Sequence, residues 1–239
     1  YQNGILTVST ISGTYGGVKL ENSSLVSDST IRSIAENNKG EFVTSKSLER
    51  TILLTSDLAG VVVDGTDIAA GEKAGKSNII LKTSAAPRFD GYVTFDNYGS
   101  VYTGLYEYAI GANANSPFGI GDKLSVTGML TSGGGSKNGS IGYSAPIMSN
   151  GLNLSTGYYR NQYSLGNDYA VLNSVGTTSA VQANLSYPVI RSKQENFSIS
   201  VNPQMQLLGA EQLGENTQKR IALAVFGANY SKTTDIGLP

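Results

Sequence analysis

The chain has 239 residues, with 17 basic and 18 acidic side chains and a net charge of −1, and it contains 29 glycines and 14 tyrosines but no cysteine, histidine or tryptophan. Without histidine there is no imidazole base or imidazole metal ligand, and without cysteine no thiolate nucleophile, thiolate metal site or disulfide framework. A charge balance near zero removes any bulk pull toward nucleic acid, and no apolar run approaches the ~18 residues of a membrane helix.

The composition changes near Pro87. Residues 1–87 carry 17 charged side chains and only three aromatics, Tyr1, Tyr15 and Phe42, whereas 88–239 carry 18 charges and 17 aromatics. The first part reads as mixed α/β. Residues 4–11 are β-branched and apolar, the pattern of a strand, closed by Ser12 and Gly13. Ser27 or Asp28 caps a short helix with Ile31, Ile34 and Ala35 at helical spacing, and Gly40 ends the pattern. Thr44 opens a second helix with Leu48, Ile52 and Leu53 on one face, ending near Gly60. Val61, Val62 and Val63, then 78–81, follow as strands joined across a glycine-rich turn at 71–75. The predicted order is β-α-α-β-β.

The second part alternates with period two. Phe197, Ile199, Val201, Met205 and Leu207 share one face of a predicted strand; Ser198, Ser200, Asn202, Gln204 and Gln206 share the other. Leu124 and Val126 oppose Ser125 and Thr127 in the same way, and Val181, Ala183, Leu185 and Tyr187 oppose Gln182, Asn184 and Ser186. About eight such strands are predicted: 88–97, 103–113, 122–132, 139–147, 151–164, 175–191, 195–208 and 217–231. A soluble sandwich or lipocalin-like barrel shares this alternation. However, its wet face is usually rich in Lys and Glu, and its strands average about 5–6 residues. Faces of Ser, Asn, Gln and Thr on strands of twelve residues or more favour a transmembrane β-barrel with a hydrated lumen.

Three features that imitate chemistry are set aside. The stretch 71–77 lacks phosphate-loop spacing and opens a strand, not a helix, so it reads as a hairpin turn. Asp64 and Asp67 offer too few ligands for calcium. Arg191, Lys193 and Glu195 read as a solvated turn between strands. No catalytic group, metal site or cofactor is expected.

The residues around the boundary read RFDGYVTFDNYGSVYTG over 88–104, followed by NSPFGIGD at 115–122, Tyr143 and Pro146 with Asn150-Gly151-Leu152, and YPVIRS at 187–192. This ordered set resembles the outer-membrane transporters of two-partner secretion, the haemolysin-activator or FhaC/ShlB type (TpsB). In that family a "DNxGSxYTG" stretch, "NPLGxGD", "YxxPxxxNGL" and "YPxxRS" occur in this order. Ser116 stands where the family often has Asn, and Phe118 where it often has Leu. The resemblance implies that 1–87 is a POTRA module and 88–239 the N-terminal part of an outer-membrane β-barrel, an incomplete barrel of antiparallel strands. The expected piece is the barrel-proximal POTRA module with the first half of the barrel, the module standing in the periplasm. It implies a pore that secretes a large exoprotein of the haemolysin or adhesin type, its partners being that cargo and outer-membrane lipid, with no nucleic acid and a monomeric barrel. Progressive folding of the cargo outside would supply the driving force.

Two sets of site residues follow. POTRA modules present an edge strand and a groove to extended polypeptide, which points to Val61, Val62 and Val63 with the helix face Leu48 and Ile52. Leu48 and Ile52 also fit the module's own core. Asp96, Asn97, Tyr98, Gly99, Tyr102, Thr103 and Gly104, with Gly121 and Asp122, form the barrel turn motif, read chiefly as turn chemistry because Asn, Asp and Gly accept or cap left-handed backbone. Two other functions stay open: a POTRA-barrel insertase that assembles outer-membrane proteins, against which the "DNxGSxYTG" stretch speaks, and a non-transport cell-surface β-domain.

Overall fold

A computed structural model describes residues 13–233. Its N-terminal part is a module of β1 (Thr14–Ser23), α1 (Asp28–Ala35), α2 (Ser45–Ser56), β2 (Val61–Ala70) and β3 (Lys76–Ala85). The sheet order is β1-β3-β2, with β1 parallel and β2 antiparallel to the central β3. The strand expected at 4–11 lies outside the described residues. The first described strand, at 14–23, has no counterpart in the expected order, although Gly16 and Gly17 are turn residues by type. Gly16 instead fills an irregularity in the β1–β3 register, where a Cβ would stand 3.0 Å from Asn78 Oδ1 and 3.1 Å from Lys76 Cβ.

Both helices begin where the caps predict. Ser27 precedes α1, whose Ile31, Ile34 and Ala35 are buried. Thr44 accepts from Ser47 N at 3.1 Å, and the Ser47 side chain returns to the Thr44 amide in a reciprocal cap. The buried face of α2 differs from expectation. It is Thr51, Leu54 and Thr55, continued by Leu58, while Ile52 and Leu53 are only half-buried. Thr51 and Thr55 escape the cost of burial by donating to the carbonyls of Ser47 (3.0 Å) and Thr51 (2.8 Å), which leaves their methyl groups to the core. Leu48 packs on the rim of a core made by Tyr15, Val26, Ile31, Ile34, Leu54, Leu58, Val61, Ile79 and Leu81.

The remaining strands form one antiparallel sheet of eight in chain order: β4 (Phe89–Asp96), β5 (Glu107–Asn115), β6 (Lys123–Thr131), β7 (Ser136–Pro146), β8 (Asn153–Ser164), β9 (Val175–Arg191), β10 (Glu195–Gln212) and β11 (Glu215–Lys232). The eight predicted strands are all present. Only β5 starts markedly later than expected, because 97–106 is a long structured turn. No helix among the described residues is long and apolar enough to cross a membrane.

The two faces separate as the alternation requires. Directly paired residues share a face, and Ile199 pairs with Tyr187 and Ala228, Met205 with Val181 and Ala222. These apolar side chains are well exposed, Met205 by 51% and Val181 by 60%. Along β10 the apolar positions run from Phe197 to Leu207, roughly 33 Å of strand and about 25 Å of height at a usual barrel tilt, the thickness of an outer-membrane apolar band. The opposite face carries polar contacts, such as Thr127 with Ser140 at 2.7 Å and Gln204 donating to Tyr159 OH at 3.1 Å. β11 departs from the pattern: Ile221, Leu223 and Val225 pair with Gln206, Gln204 and Asn202 and so face the polar side.

Candidate functional site

The connections β5–β6, β7–β8 and β9–β10 all lie at the end of the sheet that meets the module. In the first, Ser116 has φ 51°, the left-handed region that few residues with a side chain adopt and that Asn and Asp tolerate best. Its hydroxyl accepts from Gly121 N at 3.1 Å. The fully buried Asp122 carboxylate accepts from the amides of Phe118 and Ile120 and from Tyr143 OH at 3.0 Å. The turn so fixed touches the module directly: Ser27 N donates to Gly119 O (2.8 Å) and Ala59 N to Gly121 O (3.2 Å).

Two glycines of the barrel motifs are required by this contact. A Cβ on Gly121 (φ 80°) would stand 2.7 Å from Leu58 Cδ2, and one on Gly151 (φ 97°) 2.6 Å from Leu54 Cδ2 and 2.8 Å from Pro188 Cγ. Both leucines are core residues of the module, so its hydrophobic interior continues into the rim of the barrel wall.

Polar contacts then tie the helices to the rim. Arg50 donates to the carbonyls of Pro188 (2.8 Å) and Asn150 (3.2 Å). Asn37 and Ser149 exchange hydrogen bonds at 2.8 and 2.7 Å. Arg191 holds Asp57 in a two-pronged pair, Nη2 to Oδ1 at 2.7 Å and Nε to Oδ2 at 2.9 Å, and Glu49 accepts from Lys193 N at 2.8 Å. The solvated-turn reading of Arg191 and Lys193 is therefore corrected: they form part of the joint. The partners are 134 and 144 residues apart in the chain, a separation that no local pattern reports. Because Asp57 remains 45% exposed, an Asp57→Ala change is expected to cost the joint only about 1 kcal/mol. Faster amide exchange in α2, with barrel strands unaffected, will register it; unchanged exchange would mean that the pair contributes nothing.

The turn residues named from the sequence divide between the two ends. Gly121 and Asp122 are at the joint. Asp96, Asn97, Tyr98, Gly99, Tyr102, Thr103 and Gly104 are at the far end, between β4 and β5. There Asp96 accepts from Tyr98 N at 3.0 Å, and Gly99 N and Gly104 N close the loop on Leu105 O and Ser100 O. The loop binds its neighbours: Gly166 N donates to Tyr102 O (2.7 Å), the Thr131 hydroxyl to Thr103 O, and Tyr102 packs edge-on against Tyr169. Its role is to lock three far-end connections together.

On the module, Ala86 N donates to Gly60 O and Gly71 N to Lys76 O. These two pairs fix the alternation of the β2–β3 ladder on either side of its irregularity between Val63 and Gly65. Val62, Gly65, Asp67 and Ala69 spend their backbone groups on β3, whereas Val61, Val63, Thr66 and Ile68 direct theirs outward. Val62 thus differs from its valine neighbours, with a side chain 44% exposed and a backbone already committed. Among the described residues no backbone group of β2 has a partner beyond β3. The other edge is occupied: Tyr15 N and O bond Glu41 and Gly40, Gly13 O accepts from Val43 N, and Arg32 Nη1 donates to Val18 O at 3.0 Å. Leu48 and Ile52 are half-buried on α2, whose first turn meets Tyr15 of β1 through Thr44 and Ser47, and Leu48 packs on the module core.

A small α/β module whose core runs into the rim of an outward-apolar antiparallel wall defines the class: an outer-membrane β-barrel bearing a POTRA module. A family model described as haemolysin secretion/activation protein ShlB/FhaC/HecB matches residues 75–207. The chain is 32% identical over 215 residues to the heme/hemopexin transporter protein HuxB of Haemophilus influenzae strain 86-028NP, covering 88% of this chain and 38% of HuxB. It is 31% identical over 205 residues to HuxB of H. influenzae strain Rd, covering 84% of this chain and 36% of that one. Among solved structures, CdiB from Escherichia coli matches with a TM-score of 0.80 at 18% identity, over 94% of this chain and 43% of CdiB. BamA from Haemophilus ducreyi lacking POTRA domains 1–3 matches with a TM-score of 0.60 at 15% identity, over 94% and 45%. The chain belongs to the ShlB/FhaC/HecB family of haemolysin secretion/activation proteins, and spans a little over a third of the length of its HuxB relatives.

Proposed function

We propose that the protein containing this chain is the outer-membrane transporter of a two-partner secretion system, recognising a large exoprotein of the haemolysin or adhesin type and passing it through the barrel. Residues 1–87 serve as a periplasmic POTRA module, 88–239 as the N-terminal part of a monomeric barrel. Unfolded cargo adds a strand to β2 in the periplasm, capture by backbone hydrogen bonds being tolerant of sequence. Val61 and Val63, with Thr66 and Ile68 beyond them, supply the outward backbone groups. Leu48 and Ile52 border the groove, and Val62 keeps the edge in place through β3. The lumen face, with Asn184, Gln204 and Gln206, gives a hydrated path of weak contacts. Asp96 to Gly104 and Gly121 with Asp122 hold the two ends of the wall.

The observation that carries the capture step is that, among the described residues, β2 has no partner on its outer edge, while the first half of β1, through Tyr15 and Val18, is engaged by 40–43 and Arg32. Thr66→Pro tests it, since proline removes one outward N–H without touching the β3 ladder. Losing one such bond, about 1 kcal/mol, is expected to lower export of the neighbouring exoprotein roughly five- to tenfold. The full-length protein is expressed in an outer membrane and exoprotein in the medium is measured. Normal export from a correctly assembled Thr66→Pro barrel would sink strand addition. Export that survives loss of the whole protein would instead favour the insertase reading, whose BamA relatives share the fold.

A further inference from the structure

We propose that the outward face of β8–β11, at the end away from the module, carries a binding site for the phosphate groups of an anionic lipid, built on Arg160 and Arg220. This rests on the outward face being the lipid face, as in the family's barrels. The argument follows three successive rows of directly paired, outward residues. The row of Ile141, Tyr158, Val181, Met205 and Ala222 is apolar. The next, one step toward the far end, is Gly139, Arg160, Ser179, Leu207 and Arg220. The third is Lys137, Gln162, Thr177, Gly209 and Gln218, and it has no apolar side chain larger than glycine. The arginines therefore stand where, each on its own strand, apolar outward side chains give way to polar ones, toward the headgroups of the leaflet opposite the module.

Arg160 has no hydrogen-bond or ion-pair partner among the described residues and Arg220 has none on β10, its described neighbour, although Arg50 and Arg191 at the joint are both engaged. An unpaired cation on a lipid-facing strand is unfavourable unless it meets an anion or snorkels to water. Arg160 and Arg220 bracket Ser179 and Leu207, three strand spacings apart or roughly 14 Å, so their guanidinium groups can close on one headgroup from two sides. Between them lies a shallow depression of about 500 Å³ bordered by Arg160, Thr177, Ser179, Gln218 and Arg220. Its hydroxyls and amide suit the sugar or ester oxygens of a headgroup. The one carboxylate on its border, Glu211, pairs with Val175 and Asn216, two rows farther out than Leu207, and leaves the arginine row cationic. Lys137 adds a further positive charge on the same face.

The full-length protein is placed in phosphatidylcholine nanodiscs doped with diphosphoryl lipid A, and lipid retention is measured by native mass spectrometry. Arg160→Gln with Arg220→Gln is expected to weaken retention about tenfold or more. Lys123→Gln, a cation on the lumen face, is expected to leave it unchanged. Equal retention by the double variant, or equal loss in Lys123→Gln, would overturn the site. Competition by inorganic phosphate as effective as the lipid would overturn its assignment to a headgroup. A photo-crosslinking lipid on the unsubstituted protein reads the site independently of folding: crosslinks on β8 and β11 beside the arginines support it, and crosslinks confined to the module end or to another protein overturn it.

Discussion

A Gly151→Val variant will keep its barrel wall but lose its hold on the POTRA module, at a cost of roughly 3 kcal/mol or more, the sum of about 1–3 kcal/mol of backbone strain and a core clash of similar size. Gly151 has φ 97°, a region β-branched residues avoid, and a Cβ there would meet Leu54 at 2.6 Å and Pro188 at 2.8 Å. Leu54 belongs to the module core, so it cannot retreat without opening a cavity. Gly133 gives the control. Its φ is 75°, but nothing lies within 4 Å of its would-be Cβ. Gly133→Val thus carries strain without the clash and is expected to leave the module docked. Amide exchange of α2 and of Leu58 will report the difference. Equal protection in the two valine variants would show that the joint does not depend on this contact.

That joint is also where sequence reasoning stopped short. The motif glycines and Asp122 were legible as turn residues, because local backbone chemistry decides which side chains a left-handed position accepts. What makes the glycines necessary is Leu58 pressing on Gly121 and Leu54 on Gly151, from a module 63 and 97 residues earlier in the chain. Arg191 was misread for the same reason, since its carboxylate partner belongs to the end of α2. The barrel strands were the opposite case. Their faces follow from period two alone, and a neighbour one strand away only reinforces the pattern, so the eight strand positions could be read without knowing the register.

Two smaller differences have local causes. The sequence pattern puts Leu48, Ile52 and Leu53 on the inward face of α2; Leu48 does pack on the core, but beside Leu54 it is Thr51 and Thr55 that bury methyl groups, their hydroxyls bonding back along the helix. The distinction of Val62 from Val61 and Val63 depends on which β2–β3 pairs are hydrogen-bonded, and on the irregularity after Val63 that shifts them. Neither is encoded in the residue types, all three being valine.

The apolar band sets the other large effect. Arginine at Val201 is expected to cost roughly 2–4 kcal/mol, because Val201 stands near the middle of the Phe197 to Leu207 band and its side chain faces lipid. At Ile199, one outward position nearer the module end, the cost should be smaller, falling toward about 1 kcal/mol as the guanidinium reaches the headgroup level. At Ser200, between them but facing the lumen beside Ser186 and Gly227, an arginine should be tolerated within about 1 kcal/mol, since it enters water. Equilibrium unfolding of the full-length barrel from vesicles, variant by variant, measures the three costs. The order Val201 above Ile199 above Ser200 tests the face and the depth together. A flat series would mean that β10 does not cross lipid in this register. Ser200 costing as much as Val201 would mean that both faces are shielded from water, and the lumen would not then be the hydrated path that the proposed export of an unfolded chain requires.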